Sequence, residues 1–111
     1  MKVRDLVGKL DLKVLSDESG LDNEMDGGYT GDLLSWVMSH ASKGNVWVTV
    51  QIHPNIIAVA VLLEFSCIII PENIAVEQST IDKANSENIP VLQSPDSAFE
   101  LCAKIKSYSK I

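Results

Sequence analysis

Two short stretches hold side chains at spacings that can do chemistry. "TVQIHPN", Thr49 to Asn55, ends a β-branched, aromatic run and turns into an apolar segment. A strand-to-helix turn of this kind lies on the edge where α/β sheets bind ligands. His53 can act as a general base or hold a phosphate, Gln51 and Asn55 can hydrogen-bond a ligand, and Thr49 can support them. "GGYTGD", Gly27 to Asp32, is a glycine-rich turn into a helix start. Gly27, Gly28 and Gly31 permit close backbone approach, and the free N–H groups of a helix N-terminus attract anions. Asp32 is the expected N-cap, and its carboxylate competes for that same positive end. If both turns emerge on one sheet edge, they converge on a single small-ligand site.

Several chemistries find no support. The glycines lack the Gly-Lys-Ser/Thr of a Walker loop and the GxGxxG of a dinucleotide fingerprint. No serine or carboxylate stands at a fixed spacing from His53, so no catalytic constellation is identifiable and the expectation is a non-enzyme. His40 falls at a helix C-terminus, where a histidine offsets the dipole. Cys67 ("FSCIII") and Cys102 ("FELCAKI") have apolar flanks and no CxxC spacing, and both are expected to be reduced, buried and inert. No metal cluster and no cofactor are expected.

The elements that position these residues follow from pattern and punctuation. Val3, Leu6, Val7 and Leu10 have helical spacing, "DLKVLS" reads as a short strand, and "MDGGYT" as a strand with glycines. A helix is predicted from Asp32 to about Ala41, stopped by Gly44. "VWVTVQI" is a strand, Pro54 opens a helix from Asn55 to about Leu63, and "CIII" is a strand buried on both faces. "STIDKANSEN" is a surface helix with Ile81, Ala84 and Ile89 inward, "IPVL" a strand, and "SPDSAFELCAKIKSY" a last helix capped by Ser94 with Pro95 at its first position. Alternating strands and helices joined by short loops predict a small three-layer α/β domain, with a mostly parallel or mixed sheet of four to five strands and flanking helices.

Composition sets the outer bounds. A chain of 111 residues is expected to form one domain. A net charge of -6 argues against nucleic acid, because few cations face the phosphates. Lys104, Lys106 and Lys110 cluster near the end, where they suit a helix C-terminus. The charges scattered through "MKVRDLVGKLDLKVL" do not make a secretory leader. The apolar run Ile56–Ile70 falls short of the roughly 20 residues of a membrane span and is interrupted by Glu64 and Ser66. No membrane contact and a cytoplasmic location are expected.

Two helices carry more apolar surface than one sheet face requires. In the first, Leu33, Leu34, Trp36, Val37, Met38 and Ala41 span about 200° of the circumference, against the roughly 100° stripe that suffices. "NIIAVAVLL" is apolar all round. Surplus apolar surface marks an interaction site, and a homodimer is the commonest way to bury it. The expected interface residues are Trp36, Met38, Ile56, Val59 and Leu63.

The order of "LKVLS", a glycine-bearing strand, "VWVTVQIHPNIIAVAVLL", "CIIIPEN" and "NIPVLQSPDSAFELCAKI" resembles the DRTGG domain family over nearly the whole chain. That family looks related to the N-terminal domain of HPr kinase/phosphorylase. Its members are attached to some phosphotransacetylases and CBS-containing pyrophosphatases, where they regulate or dimerise rather than catalyse. The resemblance places the family's Asp-Arg pair at Ile52 and His53, and its Thr-Gly-Gly at Pro71, Glu72 and Asn73, so both signatures are absent. It implies one DRTGG-like domain over residues 1–111: a regulatory or small-ligand-binding module that is homodimeric and accessory to a metabolic enzyme. The implied ligand is a small anion or nucleotide. The alternatives are a small enzyme using His53 on a phosphorylated ligand, and a structural adaptor.

Overall fold

A computed structural model describes residues 1–108. In chain order the elements are α1 (Val3–Leu10), β1 (Lys13–Val14), β2 (Gly28–Thr30), α2 (Leu34–His40), β3 (Val46–Val48), α3 (Asn55–Leu63), β4 (Cys67–Ile70), α4 (Gln78–Glu87), β5 (Val91–Gln93) and α5 (Ala98–Tyr108). The strands form one sheet in the order β1-β5-β4-β3-β2. The neighbours β2/β3, β3/β4 and β4/β5 are parallel, and only β1, on β5, is antiparallel. This is the three-layer α/β architecture, with a mixed sheet.

The sheet interior is made of residues that favour strands. Every residue of β3 and β4 is buried, as expected for strands covered on both faces. Alternation sends Trp47, Ile68, Ile70 and Val91 to one face, where Val37 of α2, Ile56, Ile57 and Ala60 of α3 and Ile81 and Ala84 of α4 meet them. Val46, Val48, Cys67, Ile69 and Leu92 point to the other face, against Val3 and Leu6 of α1 and Leu101 and Ile105 of α5. Trp47 is fully buried, meets Phe65 edge-on, and donates from Nε1 to the Gly31 carbonyl at 3.0 Å.

Local details depart from the sequence expectations where tertiary contacts compete with local signals. The helix expected from Asp32 begins at Leu34, and its N-cap is Leu33, with no side-chain cap. Its end at His40 precedes Gly44, which has φ +83 but lies beyond the cap; an added Cβ there would sit 2.9 Å from that of Asp26. Strand pairing stops at Val48, earlier than "VWVTVQI" implied. The last helix starts at Ala98, not near Pro95. Ser97 caps it, accepting from Glu100 N–H at 3.2 Å, while the Ser94 hydroxyl accepts from Asp96 N–H inside the preceding turn.

Lys104 pairs with Asp96 at 2.6 Å rather than serving only the helix dipole, and Lys110 lies outside the described residues. No helix among the described residues is long and apolar enough to cross a membrane.

Candidate functional site

The turns after β2 and β3 do meet on the carboxyl edge of the sheet, and Asp32 is the group that joins them. One carboxylate oxygen accepts from the Thr49 hydroxyl at 2.8 Å and from Val50 N–H at 2.9 Å. The Asp32 carbonyl accepts from the Gln51 side-chain amide at 2.8 Å, and Thr49 Oγ1 accepts from Gln51 N–H at 3.2 Å. Asp32 therefore fastens one turn to the other instead of capping α2. Thr49, which is 2% exposed, and Gln51 hold the turn in shape, so they are positioning groups for any ligand rather than open contacts.

His53 and Asn55 are both exposed at the start of α3. His53 Nδ1 accepts from Asn55 N–H at 3.3 Å, so the ring caps one of the free N–H groups of that helix. The neighbouring Ile52 carbonyl accepts from Thr80 Oγ1 at 2.6 Å, which anchors the turn to α4. Gly31 shares this edge, next to Asp32. Gly27 and Gly28 do not: Gly28 pairs with Val46 at the amino end of the ladder, at the other end of β2. The stretch "GGYTGD" spans the strand, so its first glycines and Gly31 sit at opposite edges. Gly27 has φ +66, and a Cβ on Gly28 would press on the Val46 carbonyl at 3.3 Å. Both glycines answer to backbone geometry.

The expected interface residues also separate. Ile56 and Val59 are buried in the chain's own core and Leu63 packs beside it, which removes the first two from any outer surface. The exposed large apolar residues of α3 are Val61 and Leu62, while on α2 Trp36 and Met38 are exposed. Trp36 stacks on His40 at 3.9 Å, and His40 Nδ1 lies 2.9 Å from the Trp36 carbonyl in the last turn of α2. Of the two thiols, Cys67 is buried, and burial pushes it up to about 12. Cys102 is only half-buried, contrary to expectation, because it flanks the inward stripe of α5 rather than lying within it.

The ligand contacts expected from the sequence left out the turns after β4 and β5. The chain leaves β4 toward the face that holds α4, and leaves β5 toward the face that holds α5. Adjacent parallel strands whose connections diverge in this way open a crevice at their carboxyl ends, the usual ligand position in open α/β sheets. Here the two turns are laced together by Glu72 N–H to the Asp96 carbonyl, Asn73 N–H to the Ser94 carbonyl, and the Gln93 amide to the Ile74 carbonyl, each at 2.9 Å. Glu72 and Asn73 are both left-handed, with φ 56 and 52, a conformation that costs a glutamate about 1–2 kcal/mol. These are the two positions at which the DRTGG resemblance expects glycines. The chain adopts there the left-handed backbone that glycine favours, and the "PEN" following "CIII" was the signal available in the sequence.

Among the described residues no group of three or more His, Cys, Asp or Glu side chains is placed to hold a metal ion. No family model and no curated protein matches the chain. Its fold is similar to the crystal structure of the CBS and DRTGG domains of the regulatory region of Clostridium perfringens pyrophosphatase, complexed with its activator, diadenosine tetraphosphate. The TM-score is 0.73 at 15% identity, over 94% of this chain and 45% of that one. The likeness is one of fold: a DRTGG/CBS-like α/β unit that spans less than half of the solved regulatory region.

Proposed function

We propose that residues 1–111 are a single DRTGG-like regulatory module, without catalysis of its own, that binds a small anionic or nucleotide ligand and acts as a homodimer on a metabolic enzyme in the cytoplasm. The observation that carries this reading is the left-handed pair Glu72–Asn73, at the carboxyl ends of two parallel strands whose connections diverge, in a fold shared with an activator-binding regulatory region. The other left-handed non-glycine residues, Asp11, Glu64 and Asn88, end helices, whereas Glu72 and Asn73 lie in a turn outside any helix cap, and such positions gather at ligand clamps and switches. The ligand site runs along three adjacent turns: Gly31 with 49–55, 71–77 and 94–97. His53 and Asn55 supply open side chains, Thr49 and Gln51 hold their turn, and Gly27 and Gly28 drop out.

Calorimetry and thermal denaturation with ATP, diadenosine tetraphosphate, acetyl phosphate and inorganic phosphate test it. A ligand at a hundred times its Kd adds about 2.7 kcal/mol of stability. His53→Ala and Asn55→Ala each weaken binding by about 1–3 kcal/mol, the loss expected for a ligand group left unpaired. Binding accompanied by turnover supports the His53 enzyme instead. No stabilisation by any of the four leaves the structural adaptor.

A further inference from the structure

We infer that the homodimer forms edge to edge through β2, with a second copy of this chain continuing the sheet. The inference rests on the homodimer part of the reading above and goes beyond it by locating the interface. β2 pairs only with β3, and the ladder bonds Val46 N–H to the Gly27 carbonyl and Gly31 N–H to the Val48 carbonyl fix which way its groups face. Since directions alternate along a strand, Gly28 and Thr30 turn their N–H and C=O groups outward. A two-fold axis through Tyr29 sets Gly28 opposite the partner's Thr30, and Thr30 opposite the partner's Gly28. Each pair exchanges two hydrogen bonds, four in all, by antiparallel geometry.

Both helical layers present apolar flanks to this open edge. On α2, Val37 points into the core, and the packed residues Leu34 and Ala41 define the flank that faces α3. Leu33, Trp36 and His40 therefore lie on the other flank, beside β2. Behind the sheet, α5 and β2 enclose a cleft of about 470 Å³ lined by Gly28, Thr30, Val48, Phe99, Cys102 and Lys106.

The exposed area is on the scale a dimer needs. Phe99, Leu33 and Trp36 are 86%, 67% and 56% exposed. With about 150–250 Å² per aromatic side chain, Phe99 and Trp36 alone leave on the order of 200–350 Å² open per copy. Doubled by symmetry, and before Leu33 and the cleft are added, this is about a third to more than half of the roughly 1,200 Å² of a small stable interface. The same axis brings a cation to a ring. The axis sets α5 antiparallel to its mate, so Lys106, near the amino edge of the sheet, meets the ring of the partner's Phe99, near the carboxyl edge, as a cation over an aromatic face.

Sedimentation velocity on the full chain, with amide exchange on the same samples, tests the inference. The wild type is expected to be a dimer at micromolar concentration and Phe99→Glu a folded monomer, since Phe99 is exposed in the single chain. Leu62→Glu and Met38→Glu, on surfaces away from this edge, are expected to remain dimeric. The Gly28 and Thr30 amides exchange at least about tenfold faster in the Phe99→Glu monomer, while those of Tyr29 and Gly31, bonded to β3, do not. A dimer broken by Leu62→Glu or Met38→Glu but not by Phe99→Glu overturns the β2 interface and keeps the homodimer. A monomeric wild type overturns both, leaving an extended segment of another protein to cover the edge; ligand binding is decided separately by the calorimetry.

Discussion

Replacing Asp32 by alanine removes the group that ties the β2–α2 turn to the β3–α3 turn, and the cost can be worked out bond by bond. The carboxylate accepts from Thr49 Oγ1 at 2.8 Å and from Val50 N–H at 2.9 Å. Val50 is 42% exposed, so water satisfies its N–H after the substitution and that bond contributes little. Thr49 is 2% exposed, so its hydroxyl is left without an acceptor, at about 1–3 kcal/mol. Because Asp32 itself faces water, the charge adds only a fraction to this.

The expected loss for Asp32→Ala is about 1.5–2.5 kcal/mol, or a fall in Tm of roughly 6–20 °C at about 4–8 °C per kcal/mol for a small domain. Asp32→Asn keeps an oxygen acceptor and should lose about half as much, since neutral acceptors make weaker bonds than charged ones. A urea-denaturation cycle with Thr49→Val should show a coupling of about 1 kcal/mol between the two positions, as for residues in direct contact. A helix N-cap would behave differently: asparagine caps as well as aspartate, and its effect is additive with a change at Thr49. An additive cycle, or Asp32→Ala within about 0.5 kcal/mol of wild type, would refute the fastening role.

Three further outcomes are expected. Gly20→Ala should cost about 1–3 kcal/mol or more in urea denaturation, because its Cβ would lie 2.5 Å from the Asn88 carbonyl oxygen and 2.7 Å from Pro90; an unchanged midpoint would show that this corner yields. A thiol reagent near pH 8 should label Cys102 slowly in the proposed dimer and faster in Phe99→Glu, while Cys67, pushed up to about 12 by burial, reacts only after unfolding; early loss of two thiols per chain would contradict this. Hydrogen bonds from the Ser19 hydroxyl and Ser19 N–H lower the Asp17 carboxyl below its ordinary 3.8. Stability from this group is therefore full above pH 3.8 and is lost as the pH falls toward the folded value. Asp17→Asn should show a shallower acid decline in urea midpoint over that interval, and an unchanged slope would remove Asp17 from the acid response.

The amino-acid sequence by itself determined the elements whose signals are local. "CIII" is a strand and Asn55–Leu63 a helix at the bounds their patterns imply, because continuous β-branched residues and a proline-led apolar run act through neighbours in the chain. The alternation of strands and helices likewise carried the three-layer class. What was not legible is what depends on partners distant in sequence. Asp32 reads as a cap until Thr49 and Val50 arrive from seventeen and eighteen residues away and take its oxygen. Ser94 reads as the cap of the last helix, but the turn that laces β5 to Glu72 and Asn73 takes up its hydroxyl, so the helix starts later and Ser97 caps it. The glycines of "GGYTGD" look like one turn, but the ladder with β3 separates Gly28 from Gly31 along the strand and sends them to opposite edges. An all-apolar helix gives no phase to its periodicity, so only packing could decide that Ile56 and Val59 face the core while Leu62 faces out. Strand order is the deepest case. Nothing local to β2 marks it as an edge; it is one because β3 pairs with β4 on its other side, leaving Gly28 and Thr30 with outward hydrogen-bonding groups.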